Sequence, residues 1–296
     1  MSRILLLGKT GQVGHELLRV LSPLHEVTAP DRVQLDLTNA DSIRRVIADA
    51  RPEVIINAAG FTLVDAAEGE AELAMQLNGV APGIIAECAK KTGATFVHYS
   101  TVFVYDGTKQ SPYLETDAPN PLNAYGRSKL AGDNAVIACG GNHIILRVNW
   151  VYSVRRTNFM LTILKLARER ASLKVTADQD GSPTSAACYA AATARLVEKG
   201  GALRELTGIY NLAAEGHCNR LEWARALIDC ASEYSGLREG WAQLLSTTTA
   251  DYPLTAKRPL NTVTDCSKIK RAMGIEMPPW RTQLEELLRG MYPASA

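Results

Sequence analysis

From the first residues to about Val151, short apolar runs alternate with segments in which apolar positions recur every three or four residues. Arg3-Ile4-Leu5-Leu6-Leu7 predicts a buried strand, Gly8-Lys9-Thr10-Gly11-Gln12-Val13-Gly14 a turn, and Glu16-Leu17-Leu18-Arg19-Val20-Leu21 the start of a helix. A second strand-like run, Glu26-Val27-Thr28-Ala29, stops just before Asp31. Glu53-Val54-Ile55-Ile56-Asn57-Ala58-Ala59-Gly60 predicts a strand buried on both faces and closed by a turn, and Thr95-Phe96-Val97-His98-Tyr99-Ser100-Thr101 a further strand ending in hydroxyls. Such alternation of strand and helix is the signature of an α/β fold, a doubly wound parallel sheet of Rossmann type.

After Arg147-Val148-Asn149-Trp150-Val151-Tyr152 the pattern loosens. A helix is expected over Phe159 to Ala171, a turn-rich stretch at Asp178-Gln179-Asp180-Gly181-Ser182-Pro183-Thr184, and a helix over Ala186 to Val197. Gly208-Ile209-Tyr210-Asn211-Leu212-Ala213 predicts a strand able to return to the sheet. The C-terminal third reads as helical, punctuated by Pro253, Pro259, Pro278 and Pro279.

The strand–turn–helix at the N-terminus carries chemistry. Gly8, Gly11 and Gly14 let the backbone turn sharply and approach a pyrophosphate, whose charge meets the free N–H groups and positive end of the following helix. Asp31 stands where a ribose 2′-hydroxyl is bound in such folds, and Arg32 beside it suits a 2′-phosphate, so NADH and NADPH both remain open. The expected organisation is a dinucleotide-binding domain over 1–152, with a return segment near 185–214, and a smaller, mainly helical substrate domain from 153–184 and 215–296.

Tyr125-Gly126-Arg127-Ser128-Lys129 supplies the second element. Residues four apart on a helix share a face. A free tyrosine, with a pKa near ~10, is a poor acid–base catalyst at neutral pH until an adjacent ammonium stabilises its phenolate. Alone, the spacing reads as a solvated helix face; the glycine turn and the strand ending in Thr101 reverse that and give it its functional reading.

Composition acts by exclusion. The 296 residues are 46% hydrophobic and 21% charged, enough for a large core, and the net charge of +1 offers no basic footprint for nucleic acid. No apolar run approaches the ~18 residues of a membrane span, and a cytoplasmic protein is expected. Six cysteines without C-x-x-C spacing read as reduced fillers, and His15, His25, His98, His143 and His217 show no metal-ligand spacing.

The spacing Gly-x-x-Gly-x-x-Gly and the Asn57-Ala58-Ala59-Gly60 turn resemble the short-chain dehydrogenase/reductase superfamily. Over nearly its full length the chain is similar to the dTDP-4-dehydrorhamnose reductase family within the extended branch of that superfamily. The resemblance rests on Gly8 to Gly14, Asp36-Leu37-Thr38, Asn57 to Thr62 with Val64-Asp65 and Ala67-Glu68, Pro121-Leu122-Asn123-x-Tyr125-Gly126-x-x-Lys129-Leu130-Ala131-Gly132, Trp150-Val151-Tyr152, Asp178-Gln179-x-Gly181-x-Pro183-Thr184 and Arg258-Pro259. It implies an oxidoreductase that delivers hydride from NADPH or NADH to C4 of a dTDP-4-keto-6-deoxy sugar, the rhamnose precursor first among them. By this correspondence Tyr125 donates the proton, Lys129 lowers its pKa and holds the nicotinamide ribose, and Thr101 orients the ketone. Gly11, Gln12 and Val13 would touch the pyrophosphate, Asp31, Asp36 and Leu37 the adenosine half, and Gly60, Phe61, Thr62 and Tyr99 the cofactor ribose side. Trp150 is a substrate candidate through stacking, with a core tryptophan as the alternative, and Arg258 a candidate for the diphosphate, with a surface ion pair as the alternative.

The chain departs from the family where Ser100-Thr101 usually continues Asp-Tyr-Val-Phe-Asp-Gly and here continues Val102-Phe103-Val104-Tyr105-Asp106-Gly107. Val102 is therefore expected beside a sugar that loses a carboxylate and a phenol as partners. Some members dimerise through a Mg²⁺ site of acidic residues; Glu16 is present, but Ala187-Cys188-Tyr189-Ala190-Ala191-Ala192 lacks the others, so no metal bridge is expected and the chain is a monomer or a homodimer. A reductase for another dTDP-4-keto sugar, a non-catalytic regulatory subunit and an epimerase or dehydratase remain as alternatives.

Overall fold

The structure, a computed structural model, describes residues 1–292. In chain order its elements are β1 (Arg3–Leu7), α1 (Gln12–Leu21), β2 (Glu26–Thr28), α2 (Ala40–Ala50), β3 (Val54–Asn57), α3 (Ala66–Gly69), α4 (Ala71–Met75), α5 (Ala81–Thr92), β4 (Thr95–Thr101), α6 (Ala124–Cys139), β5 (His143–Val148), β6 (Val151–Tyr152), α7 (Phe159–Glu169), β7 (Ser172–Thr176), β8 (Asp180–Gly181), β9 (Thr184–Ser185), α8 (Ala186–Val197), β10 (Gly208–Leu212), β11 (Cys218–Asn219), α9 (Arg220–Ser235), β12 (Gln243–Thr247), α10 (Ser267–Met273) and α11 (Trp280–Met291). A single turn of π-helix, Gln76–Val80, joins α4 to α5.

Six strands form one sheet in the order β10-β5-β4-β3-β1-β2, every pairing parallel. The protein is thus an α/β fold with helices on both faces. Alternation along each strand divides the core: Ile4, Leu6, Ile56, Val97 and Leu146 pack with α1, α8 and α10, while Leu5, Leu7, Ile55, Phe96 and Ile145 pack with α2, α5 and α6. Truncating one of these fully buried leucines to alanine costs about 2–5 kcal/mol.

The helices begin and end where local chemistry requires. Asn39 caps α2, Asn123 caps α6, and Asn219 with Glu222 forms a capping box on α9. Left-handed Gly93, Gly140 and Gly236 close α5, α6 and α9. From β1 the chain crosses to β2 on one side and then to β3 on the other, which places the topological switch point, where open parallel sheets bind ligands, at the carboxyl ends of β1 and β3.

Beyond the sheet, α7, α9 and α11 enclose a separate core of Tyr152, Met160, Ile163, Leu164, Trp223, Leu227, Trp280 and Leu284. One element there corrects the sequence reading: Gln243–Thr247, in the third read as helical, is strand β12, paired in parallel with β7 from Gln243–Ser172 to Thr247–Thr176. Its side chains are mostly exposed, so its extended state comes from a partner some 70 positions away and leaves almost no local apolar period. The segment between β12 and α10 is irregular and returns to the first part of the chain through bridges of Asn261 to Asp180 and Thr264 to Tyr113.

Candidate active site

The glycine turn lies at the switch point. Gly8, at φ +91°, presses on the β3 turn so closely that a Cβ there would fall 2.7 Å from the Ala58 carbonyl carbon, and a Cβ on Gly14 would fall 2.0 Å from the Gly8 oxygen. Only glycine fits either place. Helix α1 starts at Gly11 without a side-chain cap, so its first N–H groups face the cleft. This is a cradle that a pyrophosphate fits: bare backbone at a free helix N-terminus. The Val13 side chain packs into the core, while Gln12 Oε1 accepts from Ser153 Oγ at 2.8 Å and from Asn158 Nδ2 at 3.0 Å. The loop after β6 is thereby tied to the turn, and Arg156 Nε adds a bond to the Thr10 carbonyl at 3.0 Å.

Thr101, Tyr125 and Lys129 meet at the carboxyl end of β4. Thr101 is the last residue of the strand, and its Oγ1 accepts from Phe103 N at 3.2 Å, capping the short turn Val102–Val104. Its own proton remains free to be donated. Burial raises the pKa of Tyr125, the Thr101 hydroxyl beside it opposes that rise, and the negative field of Asp133 adds to it. The ring of Phe103 meets that of Tyr125 edge-on at 6.0 Å. Lys129, one turn further along α6, is buried and donates to the Tyr99 carbonyl at 2.5 Å. Burial pushes Lys129 down to about 8, Asp133 pulls it up, and it remains a cation at neutral pH.

Lys129 donates to the Tyr99 carbonyl, and its charge interacts with that of Asp133. One detail differs from the sequence reading. The Tyr99 side chain, expected near the cofactor ribose, points to the opposite face of the sheet, where its hydroxyl lies 2.6 Å from Thr193 Oγ1, so only its carbonyl reaches the site. Strand alternation is the reason: His98 and Ser100 share the α6 side, and Tyr99 cannot.

Behind Lys129 lies a buried polar cluster that sequence reasoning missed. Asp133, fully buried on α6, accepts from Arg147 Nε at 3.4 Å and stands 4.0 Å from His98 Nε2. Arg147 also donates to the Tyr105 hydroxyl at 2.8 Å. Burial raises Asp133 and Arg147 opposes it, while burial and the Lys129 charge hold His98 neutral. The signal was available: Asp133 follows Lys129 by four positions on an otherwise small and apolar helix face.

On the adenosine side, Asp31 is exposed and its Oδ1 accepts from the N–H groups of Val33 and Gln34, both at 3.0 Å. Those bonds, chiefly that of Gln34, and the charge of Lys9 hold its pKa down. Arg32 is exposed at the same bend, and Lys9, a residue not singled out from sequence, reaches the Ala29 carbonyl at 2.7 Å. Asp36 accepts from both the N–H and the hydroxyl of Thr38, with Leu37 half-buried between them. Beyond β3, Gly60, Phe61 and the exposed Thr62 form a loop fixed by Asn78 of the π-turn, which bonds both backbone groups of Phe61 at 2.9 Å and the Ser128 hydroxyl at 3.0 Å. A π-turn at a functional loop is a recurrent device.

On the substrate side, Val102 requires correction. It is 1% exposed and packs with Val104, Tyr105 and Tyr113, because the turn after Thr101 swings it into a small core; it offers no face to a sugar. The residue beside Tyr125 is Phe103. Arg258 is ion-paired to Asp65 at 2.6 Å and stays 13% exposed, which joins the segment after β12 to α3. Trp150, at the end of β5, has a positive φ of 27°, a strained backbone for an aromatic residue, and its ring carries the guanidinium of Arg220 at 3.5 Å.

A parallel sheet with a pyrophosphate cradle at its switch point and a Thr–Tyr–Lys set at the neighbouring strand end defines a dinucleotide-dependent α/β oxidoreductase of the short-chain type. More narrowly, a sequence model described as the RmlD substrate binding domain matches residues 1–292, and the chain belongs to that family. It is 40% identical over 286 residues to a dTDP-4-dehydrorhamnose reductase of Burkholderia thailandensis, covering 94% of this chain and 95% of that protein. A dTDP-4-dehydrorhamnose reductase of Salmonella typhimurium is 39% identical, with 98% of each chain covered. Among solved structures, that of the Bacillus anthracis dTDP-4-dehydrorhamnose reductase in complex with NADP superposes with a TM-score of 0.90 at 30% identity, covering 98% of this chain and 99% of that one. No described helix is long and apolar enough to cross a membrane.

Proposed function

We propose that the protein reduces the C4 ketone of a dTDP-4-keto-6-deoxy sugar, with dTDP-4-dehydrorhamnose as substrate, dTDP-L-rhamnose as product and NADPH as the preferred cofactor. The observation that carries this reading is the convergence of Thr101, Tyr125 and buried Lys129 at the strand end beside the glycine cradle. Family membership and the relatives' shared activity support it. Residues 153–184 and 215–292 would form the substrate-binding unit, closing over the cleft from the side of Trp150 and Arg258; the last four residues of the expected domain lie outside the described residues.

A bound reduced nicotinamide supplies the hydride. Gly8, Gly11, Gln12 and Gly14 would hold its pyrophosphate, Arg32 and Lys9 a 2′-phosphate, and Lys129 its ribose. The residues of this chain manage the charge that appears on the ketone oxygen. The Thr101 hydroxyl, with its lone pair committed to Phe103 N, donates to that oxygen and orients it. Tyr125 then gives up the proton. Its raised pKa suits this task, since a donor must be protonated at working pH, and the Lys129 ammonium, one helical turn along α6, would stabilise the phenolate left behind. Asp133 attracts Lys129 from behind, and Arg147 in turn pairs with Asp133.

The test is oxidation of NADPH by the purified protein with dTDP-4-dehydrorhamnose, followed by identification of the sugar. Consumption of cofactor with formation of dTDP-L-rhamnose is expected. Cofactor binding without turnover on any dTDP-4-keto sugar would instead favour a non-catalytic nucleotide-binding subunit.

A further inference from the structure

Arg220 is a cation that no carboxylate among the described residues pairs with. It is the first residue of α9, half-buried, and its guanidinium lies 3.5 Å from the Trp150 ring centre, 4.7 Å from that of Phe159 and 5.6 Å from that of Trp223. These rings are themselves stacked, Phe159 on Trp223 at 4.8 Å and Trp150 on Trp223 at 5.8 Å. Among the described residues the guanidinium makes no ion pair and no hydrogen bond; the only nearby full charge acting on it is the repelling Arg258. Burial pushes Arg220 down to about 9, which still leaves it charged at neutral pH.

Desolvating a cation beside another cation is costly unless an anion completes the site. An arginine lying flat on an aromatic ring keeps its in-plane N–H donors free for such an anion. The location narrows its chemistry. Val148 of β5 pairs in register with Thr101, and Trp150 follows two residues later, so the stack stands at the same sheet edge as the catalytic set and on the side away from Asp31 and Arg32. A cofactor phosphate bound at the glycine turn and β2 is therefore not its natural partner. The Trp150 backbone is held at φ 27°, and a Cβ on Gly181 would fall 2.5 Å from Trp150 Cε2, so the indole is fixed from its own strand and from β8.

We propose that Arg220, mounted on Trp150, binds the diphosphate of the nucleotide-sugar substrate and sets the enzyme's preference for a diphosphate over a monophosphate. Trp150 is then the platform for the guanidinium, and the substrate meets the cation it carries. Arg258, partly neutralised by Asp65, supplies a second, weaker positive charge to the same anion. This inference rests on the nucleotide-sugar reading above.

The probe is dTDP titrated calorimetrically into the full-length protein loaded with NADPH, with dTMP in parallel. In Arg220→Met, which keeps the stacked side-chain bulk and loses the charge, dTDP affinity is expected to fall roughly 10- to 100-fold, the span of a charge-assisted hydrogen-bonded contact. The loss for dTMP is expected to be smaller, and in turnover the loss should fall on KM for the nucleotide sugar more than on kcat. Arg220→Lys, which keeps a charge and loses the planar fork, should lie between; it carries the test if Arg220→Met does not fold, with wild-type NADPH binding as the criterion of folding. Wild-type dTDP affinity in a folded Arg220→Met protein overturns the proposal alone. Failure of the unsubstituted protein to bind dTDP overturns the nucleotide-sugar reading and this proposal with it.

Discussion

Lys129 Nζ donates to the Tyr99 carbonyl at 2.5 Å, and the carboxylate that offsets its burial is Asp133, one helical turn further along α6. Lys129 is thus held from the sheet and from its own helix before any ligand arrives. Its depressed pKa, about 8, makes a specific claim about pH. If the Lys129 ammonium is required, kcat/KM should fall as pH rises through about 8. Asp133→Asn removes the group that pulls Lys129 up, so the alkaline limb should move to lower pH in protein that remains folded. For stability the sign is opposite. Between about 8 and the ordinary value of 10.5 the unfolded chain holds a proton that the folded chain has lost, so the burial cost of the ammonium, felt in full below 8, is relieved as pH rises through this window. An alkaline limb unmoved by Asp133→Asn would show that Asp133 does not set the charge on Lys129.

Tyr125→Phe should lower turnover by ~10²–10⁴-fold, the usual worth of a positioned general acid, with NADPH affinity nearly unchanged. Lys129→Met should weaken both turnover and NADPH binding. Fluorescence titration of NADPH separates the two, and unaltered affinity in Lys129→Met would remove the ribose role from that residue.

Cofactor choice is predicted from the bend after β2. Asp31 has one carboxylate oxygen engaged by backbone N–H groups, and Lys9 and Arg32 lie at the same bend, a surrounding that tolerates a 2′-phosphate. Both cofactors should support turnover with a modest preference for NADPH. Arg32→Ala should reduce the ratio of kcat/KM values for NADPH and NADH towards one, and an unchanged ratio would place the phosphate on Lys9 or elsewhere.

The two departures after Thr101 should behave differently. Phe103 faces Tyr125, so Phe103→Tyr adds a phenol at the site and should raise kcat/KM for dTDP-4-dehydrorhamnose. Val102 is enclosed, so Val102→Asp buries a carboxylate with no partner and should destabilise the fold by several kcal/mol, seen as a large fall in Tm. A Val102→Asp protein of normal Tm would mean that this turn opens in solution.

Much of the frame was legible because its signals are local. Apolar runs marked β1, β3 and β4, the glycine spacing marked the cradle, and the four-residue interval marked Tyr125 and Lys129. What escaped depends on partners distant in sequence. Strand β12 exists through β7; Arg147 reaches Asp133 from the next strand; and Arg220 finds Trp150 some 70 positions upstream, a partner that neither the stacking nor the core reading of that tryptophan implies. Val102 was misplaced for a smaller reason. The strand period predicts which face a side chain takes only while the strand lasts, and at Thr101 it gives way to a tight turn.

The central claim, hydride delivery to C4 of a dTDP-4-keto-6-deoxy sugar, is tested most directly with NADPH deuterated at the nicotinamide C4 position that is transferred. With dTDP-4-dehydrorhamnose as substrate, one deuterium per NADPH consumed should appear at C4 of dTDP-L-rhamnose, and Tyr125→Phe should suppress its appearance in proportion to turnover. Sugar conversion without net NADPH oxidation and without deuterium at C4 would contradict the account and identify an epimerase or dehydratase built on the same fold.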